Sequence, residues 1–168
     1  MARIGKAYEA LIGALAGLAC ALLGLVFLAI VYDVVVRTLG FQPPYWVSAL
    51  TEYALLFMTM LAAPWLVRRK AHVFVTSLLT VLPRFARRLA GRLVYAGCIA
   101  ICLAIGYYAA SMGLEAFRLG EFDVRSIDMP RWLLFASLPL GFGLCAVEFA
   151  RFLAGFDDMY AGADREGI

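Results

Sequence analysis

The sequence predicts an all-α membrane protein. It should form one domain, residues 1–168, with four transmembrane helices, an amphipathic interfacial helix between the second and the third, and both termini in the cytoplasm. Of the 168 residues, 64% are hydrophobic and 16% are charged, whereas soluble domains have about 45–50% apolar and about 25% charged residues. Long stretches of the chain also carry no charge at all. Lipid must therefore surround most of the chain.

The first span is predicted over about residues 10–36. The 23 residues between Glu9 and Asp33 are uncharged, enough to cross a bilayer at about 1.5 Å per residue. This run is longer than the roughly 7–15 apolar residues of a signal peptide. We therefore expect an uncleaved first helix.

Three further apolar runs predict the other spans. The second covers about residues 45–67 and contains one charged residue, Glu52. The third covers about residues 93–114 and has no charge, and the fourth covers about residues 132–152 with Glu148 near its end. Each run has the length that a membrane-spanning helix needs.

Rows of small residues at helical spacing predict close contacts between helices. The first span carries the row Gly13, Gly17, Ala21 and Gly24, and the third carries the shorter row Ala109 and Gly113. Small side chains let two helix backbones approach each other inside a membrane. We expect both rows to face another helix.

The distribution of Lys and Arg predicts the orientation. The N-terminal tail has two of them, the segment 68–92 has seven, and the segment from residue 151 to the C-terminus has two. The loops on the opposite side have only four. Since Lys and Arg are enriched in cytoplasmic segments, the N-terminus, the segment 68–92 and the C-terminus are expected in the cytoplasm.

The densest positive cluster, Arg68, Arg69 and Lys70, follows the second span. Both the negative end of the helix dipole and the positive-inside rule favour cations here. In this interpretation the three cations are redundant. Apolar residues then recur at helical spacing with arginines mostly on the other face. This pattern predicts an amphipathic interfacial helix within about residues 77–92, and Pro83 should mark its start.

The sequence lacks the usual signs of catalysis. Its single histidine, His72, cannot supply both axial ligands of a bis-histidine haem. The four cysteines lie in apolar runs, where a cysteine is usually a small buried hydrophobe. Nucleotide-binding, metalloprotease and serine hydrolase motifs are absent from the sequence. We therefore expect no enzyme, no catalytic, cofactor or metal site in this chain, and no nucleic-acid binding.

Glu52 has two possible roles. It lies six residues after Trp46, which should be at the membrane surface, so it is about 9 Å deep. Asp33 and Arg37 are four residues apart near the same face and can pair with each other. Glu52 either makes a structural ion pair, with Arg37 as the nearest candidate, or binds a proton or cation. The shallow position and the single carboxylate favour the structural role.

Five segments together resemble a known family. They are "VYDVVVRTLGF", "PPYWV", "LVRRKAHVFV", "LLTVLPRFARRL" and "IDMPRWLLFASLPLGFGL". In this order and spacing they resemble the small membrane subunit (Q-type) of TRAP transporters, the tripartite ATP-independent periplasmic transporters, over roughly residues 24–153. The positions that match the family pattern are Arg37, Trp46, Arg69, His72, Pro83, Pro130, Trp132, Pro139 and Gly141.

Two positions depart from that pattern. The family often has an acidic residue just after the tryptophan, where this chain has Ser48 and Ala49, and an aspartate four residues after the histidine, where it has Thr76. The match at "RxxH" implies a fixed contact for His72, either with carbonyls at the helix end or with a partner subunit. Our candidates for structural or subunit-interface positions are Glu52 and the matched residues other than Pro83 and Gly141.

The resemblance implies a role in transport across the bacterial inner membrane. In such systems a large membrane subunit carries the sodium sites, the substrate site and the moving part, and a soluble periplasmic protein captures the substrate, usually an organic acid. The small subunit is similar to a scaffold that anchors the large one. The expected partners of this chain are thus the large subunit, the periplasmic binding protein and membrane lipids.

Two alternatives come from other classes of protein. One is a small homodimeric four-helix exporter that uses Glu52 as a proton-coupled carboxylate. The other is a membrane structural protein without a role in transport. Neither needs a large partner subunit, so dependence on such a partner distinguishes them from the scaffold.

Overall fold

A computed structural model describes residues 2–69, 84–124 and 127–154, and four of its helices are long and apolar enough to cross a membrane. The helices are α1 (Ala2–Thr38), α2 (Trp46–Arg68), α3 (Arg84–Leu119) and α4 (Arg131–Leu153), and two short antiparallel strands are β1 (Phe122–Asp123) and β2 (Met129–Pro130). The predicted helical fold, with four helices long and apolar enough to span a membrane, is confirmed. The strands were not predicted.

The predicted and observed helix ends agree closely for α2 and α4, but α1 and α3 are longer than their apolar runs. Residues 84–92, expected in an interfacial helix, are helical but continue into α3 without a break. Arginine is a good helix former, so the hydrogen-bonded helix continues where the hydropathy falls. The described residues thus show no separate interfacial helix, while residues 70–83, with Pro83, lie outside them.

The helices alternate in direction and pack in the spatial order α1, α2, α4, α3. The α1–α2 and α3–α4 pairs are helical hairpins, and contacts between α2 and α4 join them. One end of the spans, which we call the arginine end, carries Arg68 and Arg151 where α2 and α4 finish. The opposite end, the strand end, carries β1 and β2. Since α1 begins near Arg68, it starts at the end where α4 finishes.

A proline and a glycine define the contact between α2 and α4. Pro64 lies inside α2 and has no N–H, so the carbonyl of Met60 loses its helical donor. This carbonyl lies against Gly141 of α4, where an added Cβ would be 2.9 Å from the Met60 oxygen. Glycine at 141 therefore permits an approach that no other residue allows without a shift of the backbone.

The contact between α3 and α4 also depends on small residues. Ala109 and Gly113 are buried, and a Cβ at Gly113 would lie 3.1 Å from Cβ of Phe135. This row therefore contacts another helix, as predicted. The row on α1 does not do so within the described chain, because its members are exposed and the space around Gly13 and Gly17 is open.

At the strand end the loop between α3 and α4 is tied to neighbouring helices. Gly120 ends α3 with a positive φ of 62°, which glycine adopts without strain. Arg131 and Glu121 pair at 2.8 Å across the base of the strands. The hydroxyl of Tyr53 on α2 donates to Asp123 Oδ2 at 3.0 Å. This hydrogen bond holds the loop against the start of α2.

Alanine substitutions of two glycines in α4 test the close approach. Gly141→Ala places a methyl group against the Met60 carbonyl and should lower the free energy of unfolding by about 1–3 kcal/mol, as in other overpacked sites. Gly143→Ala is the matched control: nothing lies within 4 Å of the position that its Cβ would take, so its better helix propensity should stabilise by about 0.5–1 kcal/mol. Thermal unfolding in detergent measures both. A Gly141→Ala protein as stable as the control would contradict the contact.

Candidate functional site

A buried carboxylate lies at the arginine end. Glu148, in the last two turns of α4, is only 2% exposed. Its Oε1 is 3.4 Å from Nη1 of Arg151 on the same helix and 3.9 Å from Nη1 of Arg68 on α2. An ionised carboxylate is stable in such a place only with cationic partners, and two guanidinium groups supply them.

Arg68 links three helices. Its Nη2 donates to Glu9 Oε1 on α1 at 2.6 Å, while its Nη1 faces Glu148 on α4. The Arg68 side chain is 22% exposed, so water screens these pairs less than it screens surface pairs. Within the described chain, Nη1 is buried without a hydrogen-bond partner. Arg68 thus has unused donor capacity.

Tyr8 completes the cluster from α1. The guanidinium carbons of Arg68 and Arg151 lie 5.9 and 5.6 Å from the centre of its ring, at the distance of cation–π contacts. Its buried hydroxyl lies close to the Glu148 carboxylate, although the geometry of a hydrogen bond to a described residue is not met. We call Tyr8, Glu9, Arg68, Glu148 and Arg151 the arginine cluster.

A cavity of about 550 Å³ opens beside the arginine cluster. Its lining includes members of the cluster together with Ile12, Gly13, Trp65, Arg69 and Phe152. Arg69 lies over the ring of Trp65 at 5.3 Å. Charged and apolar groups therefore meet in one place. Among the described residues, no three histidine, cysteine or acidic side chains come together as a metal site.

Four of the sequence-predicted residues lie at or near the strand end. Arg37 pairs with Asp33 at 2.8 Å, as their spacing predicted. Trp46, the first residue of α2, stacks on Tyr32 with ring centres 6.5 Å apart. The other two are Pro130, which ends β2 and caps α4, and Trp132, whose ring meets Phe117 edge-on at 5.7 Å.

The remaining predicted residues are spread along the bundle. Glu52 is exposed near the start of α2, Pro139 lies inside α4, and Arg69 follows the last residue of α2. His72 lies outside the described residues. The described members of the set thus lie at different places along the bundle, and the roles of all of them stay predictions.

The sequence interpretation missed the burial of Glu148 and the difference between Arg68 and Arg69. Arg68 faces two carboxylates, whereas Arg69 is exposed. The two arginines therefore differ in their contacts, although the sequence interpretation treated them as redundant. The spacing of Glu148 and Arg151 was a usable signal, since residues three apart share a helix face. The alternating topology was a second signal, since it brings Glu9 to the end where Arg68 lies.

Residues 26–156 match the family described as "Tripartite ATP-independent periplasmic transporters, DctQ component". The match covers the C-terminal part of α1, from residue 26 onward, and all of α2, α3 and α4. The chain belongs to this family. The DctQ component is part of a transporter, and its family is not a family of enzymes. None of the curated proteins compared with the chain matches it.

The match confirms the resemblance to the small TRAP transporter subunit. It includes Arg68, Glu148 and Arg151 but begins after Tyr8 and Glu9. The α1 side of the arginine cluster therefore lies outside the matched residues. The α2–α4 pairing of Arg68 with Glu148 lies inside it.

Substitutions of Arg68 and Arg69 test which cation holds the DctQ component together. Arg68→Ala should lower the free energy of unfolding by about 2–3 kcal/mol. A buried charge left without any partner costs about 3–5 kcal/mol, but Arg151 still faces Glu148 in this variant. Arg69→Ala, the control, loses only an exposed cation–π contact and should cost no more than about 1 kcal/mol.

The double variant Arg68→Ala/Glu148→Gln tests whether the loss of stability comes from the unpaired charge of Glu148. A neutral amide needs no counter-charge, so the double variant should lose less stability than the sum of the two single variants. Denaturant titration in detergent measures all of them. Additive losses would argue against direct coupling between Arg68 and Glu148.

Proposed function

We propose that this DctQ component is the small permease subunit of a TRAP-type secondary transporter and acts as a scaffold for a large, sodium-coupled membrane subunit. The transported substrate is an organic acid that a periplasmic binding protein delivers. The main observation in support of the scaffold role is that the middle of all four spans has no charged residue. Family membership supports the role in transport.

The middle of each span has no charged residue and no histidine. This holds for residues 10–32, 53–67, 93–114 and 132–147. Substrate and ion sites in secondary transporters lie near the bilayer midplane and need polar or ionised groups there. An organic acid, which is an anion, would find no cationic side chain at that depth. The substrate and sodium sites therefore belong in the large subunit.

The packing order also supports a scaffold. Within the described chain, α1 packs mainly on α2, and α3 packs mainly on α4. Each of these outer helices thus presents apolar side chains outward, such as Leu28 on α1 and Tyr107 on α3, which are 67% and 72% exposed. Such surfaces are stable against lipid or against another membrane subunit, and not against water. Two free flanks suit a component that extends the membrane-embedded surface of a larger partner.

The exporter alternative depends on Glu52. In the structure Glu52 is exposed on α2 near the strand end, about 9 Å from the first residue of the helix. A proton-coupled carboxylate would be expected deeper in the membrane and facing a pathway. The position of Glu52 therefore favours a structural role.

Reconstitution tests dependence on a partner. The purified chain alone in proteoliposomes should show no substrate-coupled uptake, and co-expression with the large subunit should give a stable complex. Uptake should then require the large subunit, the binding protein and a sodium gradient. Glu52→Gln should leave uptake by the complex within a few-fold of wild type. If the isolated chain transports substrate robustly and Glu52→Gln abolishes this transport, the scaffold proposal is wrong and the exporter is favoured.

Reporter fusions test the orientation. We propose that the arginine end is cytoplasmic and the strand end periplasmic, in the bacterial inner membrane, because eleven of the fifteen Lys and Arg residues flank the spans at the arginine end. A cytoplasmic reporter fused after Ile168 should be active, and one inserted at Gly120 in the α3–α4 loop should be inactive. A periplasmic reporter should give the opposite pattern. Activity of the periplasmic reporter at the C-terminus would reverse the assignment.

A further inference from the structure

We propose that the cavity beside the arginine cluster binds the phosphate group of an anionic phospholipid. The chemistry is that of a phosphate diester held by guanidinium groups. Nothing in the transport role requires this site. The inference rests on four observations: the charge of the lining, its unused donors, its depth in the membrane and its apolar side.

The lining has an excess of positive charge. Arg68, Arg69 and Arg151 contribute three cations, against two carboxylates from Glu9 and Glu148. Both carboxylates already contact arginine, Glu9 at 2.6 Å and Glu148 at 3.4 Å. The remaining net charge is positive, so an anion is attracted and a metal cation is not. Guanidinium groups also match phosphate oxygens in geometry, with several donors in one plane.

Two buried donors near the cavity make no hydrogen bond within the described chain. They are Nη1 of Arg68 and the hydroxyl of Tyr8. Buried polar groups are usually hydrogen-bonded, and an unpaired one is costly. Both groups belong to the arginine cluster, where Arg68 also lines the cavity. Of the two, only Arg68 lines the cavity, and a phosphate oxygen there would give its guanidinium group an acceptor.

The cavity lies at the depth of lipid phosphates. Its charged residues immediately flank uncharged stretches: Glu9 precedes residues 10–32, Arg68 follows residues 53–67, and Glu148 follows residues 132–147. The hydrocarbon core therefore ends at this level, and the headgroup region begins. Trp65 lines the cavity, and tryptophan is enriched at this boundary. A lipid phosphate at its normal depth in the bilayer can therefore contact these arginines.

One side of the cavity suits an acyl chain. Ile12, Gly13 and Phe152 form apolar parts of the lining. From Gly13 the exposed small residues of α1 continue towards the middle of the membrane, with Gly17 one turn further along. A lipid whose phosphate lies in the cavity can place a chain along this shallow surface. A volume of about 550 Å³ accommodates the headgroup.

Lipid titration of the purified, delipidated chain tests the proposal. Native mass spectrometry in detergent should show tighter binding of phosphatidylglycerol than of phosphatidylethanolamine. Arg151→Gln and Arg69→Gln should each weaken phosphatidylglycerol binding about tenfold, the loss expected for one charge-assisted hydrogen bond. Arg118→Gln, an exposed arginine at the strand end, is the matched control and should leave binding within about twofold of wild type. The Arg69 variant keeps all the ion pairs of the arginine cluster, so weaker binding there is not a consequence of unfolding.

Inorganic phosphate distinguishes the two sources of the phosphate group. At matched ionic strength, phosphate in place of chloride should not raise the unfolding temperature of the delipidated chain, whereas phosphatidylglycerol should raise it. If the two lipids bind equally and none of the arginine variants changes their binding, the proposal is wrong. Arginine-dependent stabilisation by inorganic phosphate, without a preference for phosphatidylglycerol, would also overturn it and identify a site for free phosphate. None of these measurements needs the large subunit or uptake, so their outcome is independent of the scaffold role.

Discussion

The contact between α2 and α4 is the constraint on which the rest of the structure depends. It joins the α1–α2 hairpin to the α3–α4 hairpin, which otherwise share little surface in the described chain. Three different interactions hold the two hairpins together at three depths. Tyr53 donates to Asp123 at the strand end, Gly141 meets the Met60 carbonyl in the middle, and Arg68 faces Glu148 at the arginine end. A membrane component that presents surfaces to a partner needs its own helices fixed first, and this contact fixes them.

The type of interaction at each depth follows from the surroundings. In the middle of a bilayer, lipid is as apolar as the side chains, so helices associate through close packing and not through the hydrophobic effect. Pro64 and Gly141 provide that packing, because one exposes a carbonyl and the other lets α4 approach it. The ion pairs between described residues lie towards the ends, where a charge is less costly to bury. The arginine cluster therefore lies as deep as charge is easily tolerated.

The sequence predicted the spans well and their packing poorly. Hydropathy located α2 and α4 to within one residue of each observed end, because their apolar runs end where charges begin. It underestimated α1 and α3, whose backbone hydrogen bonds continue through charged residues such as Arg84. The pairing of Arg37 with Asp33 was predictable because it is local. The pairing of Arg68 with Glu9 joins residues 59 apart, and sequence spacing alone does not specify such a contact.

The two rows of small residues show why local pattern does not decide what a helix contacts. Both rows have the spacing that favours close approach, but only Ala109 and Gly113 contact another helix of the described chain. The α1 row is exposed, with open space around Gly13 and Gly17. Small residues against lipid contribute little packing of their own. Within the described chain no helix packs on the α1 row, so it leaves the first helix of this DctQ component with a surface on which lipid or another membrane subunit can pack.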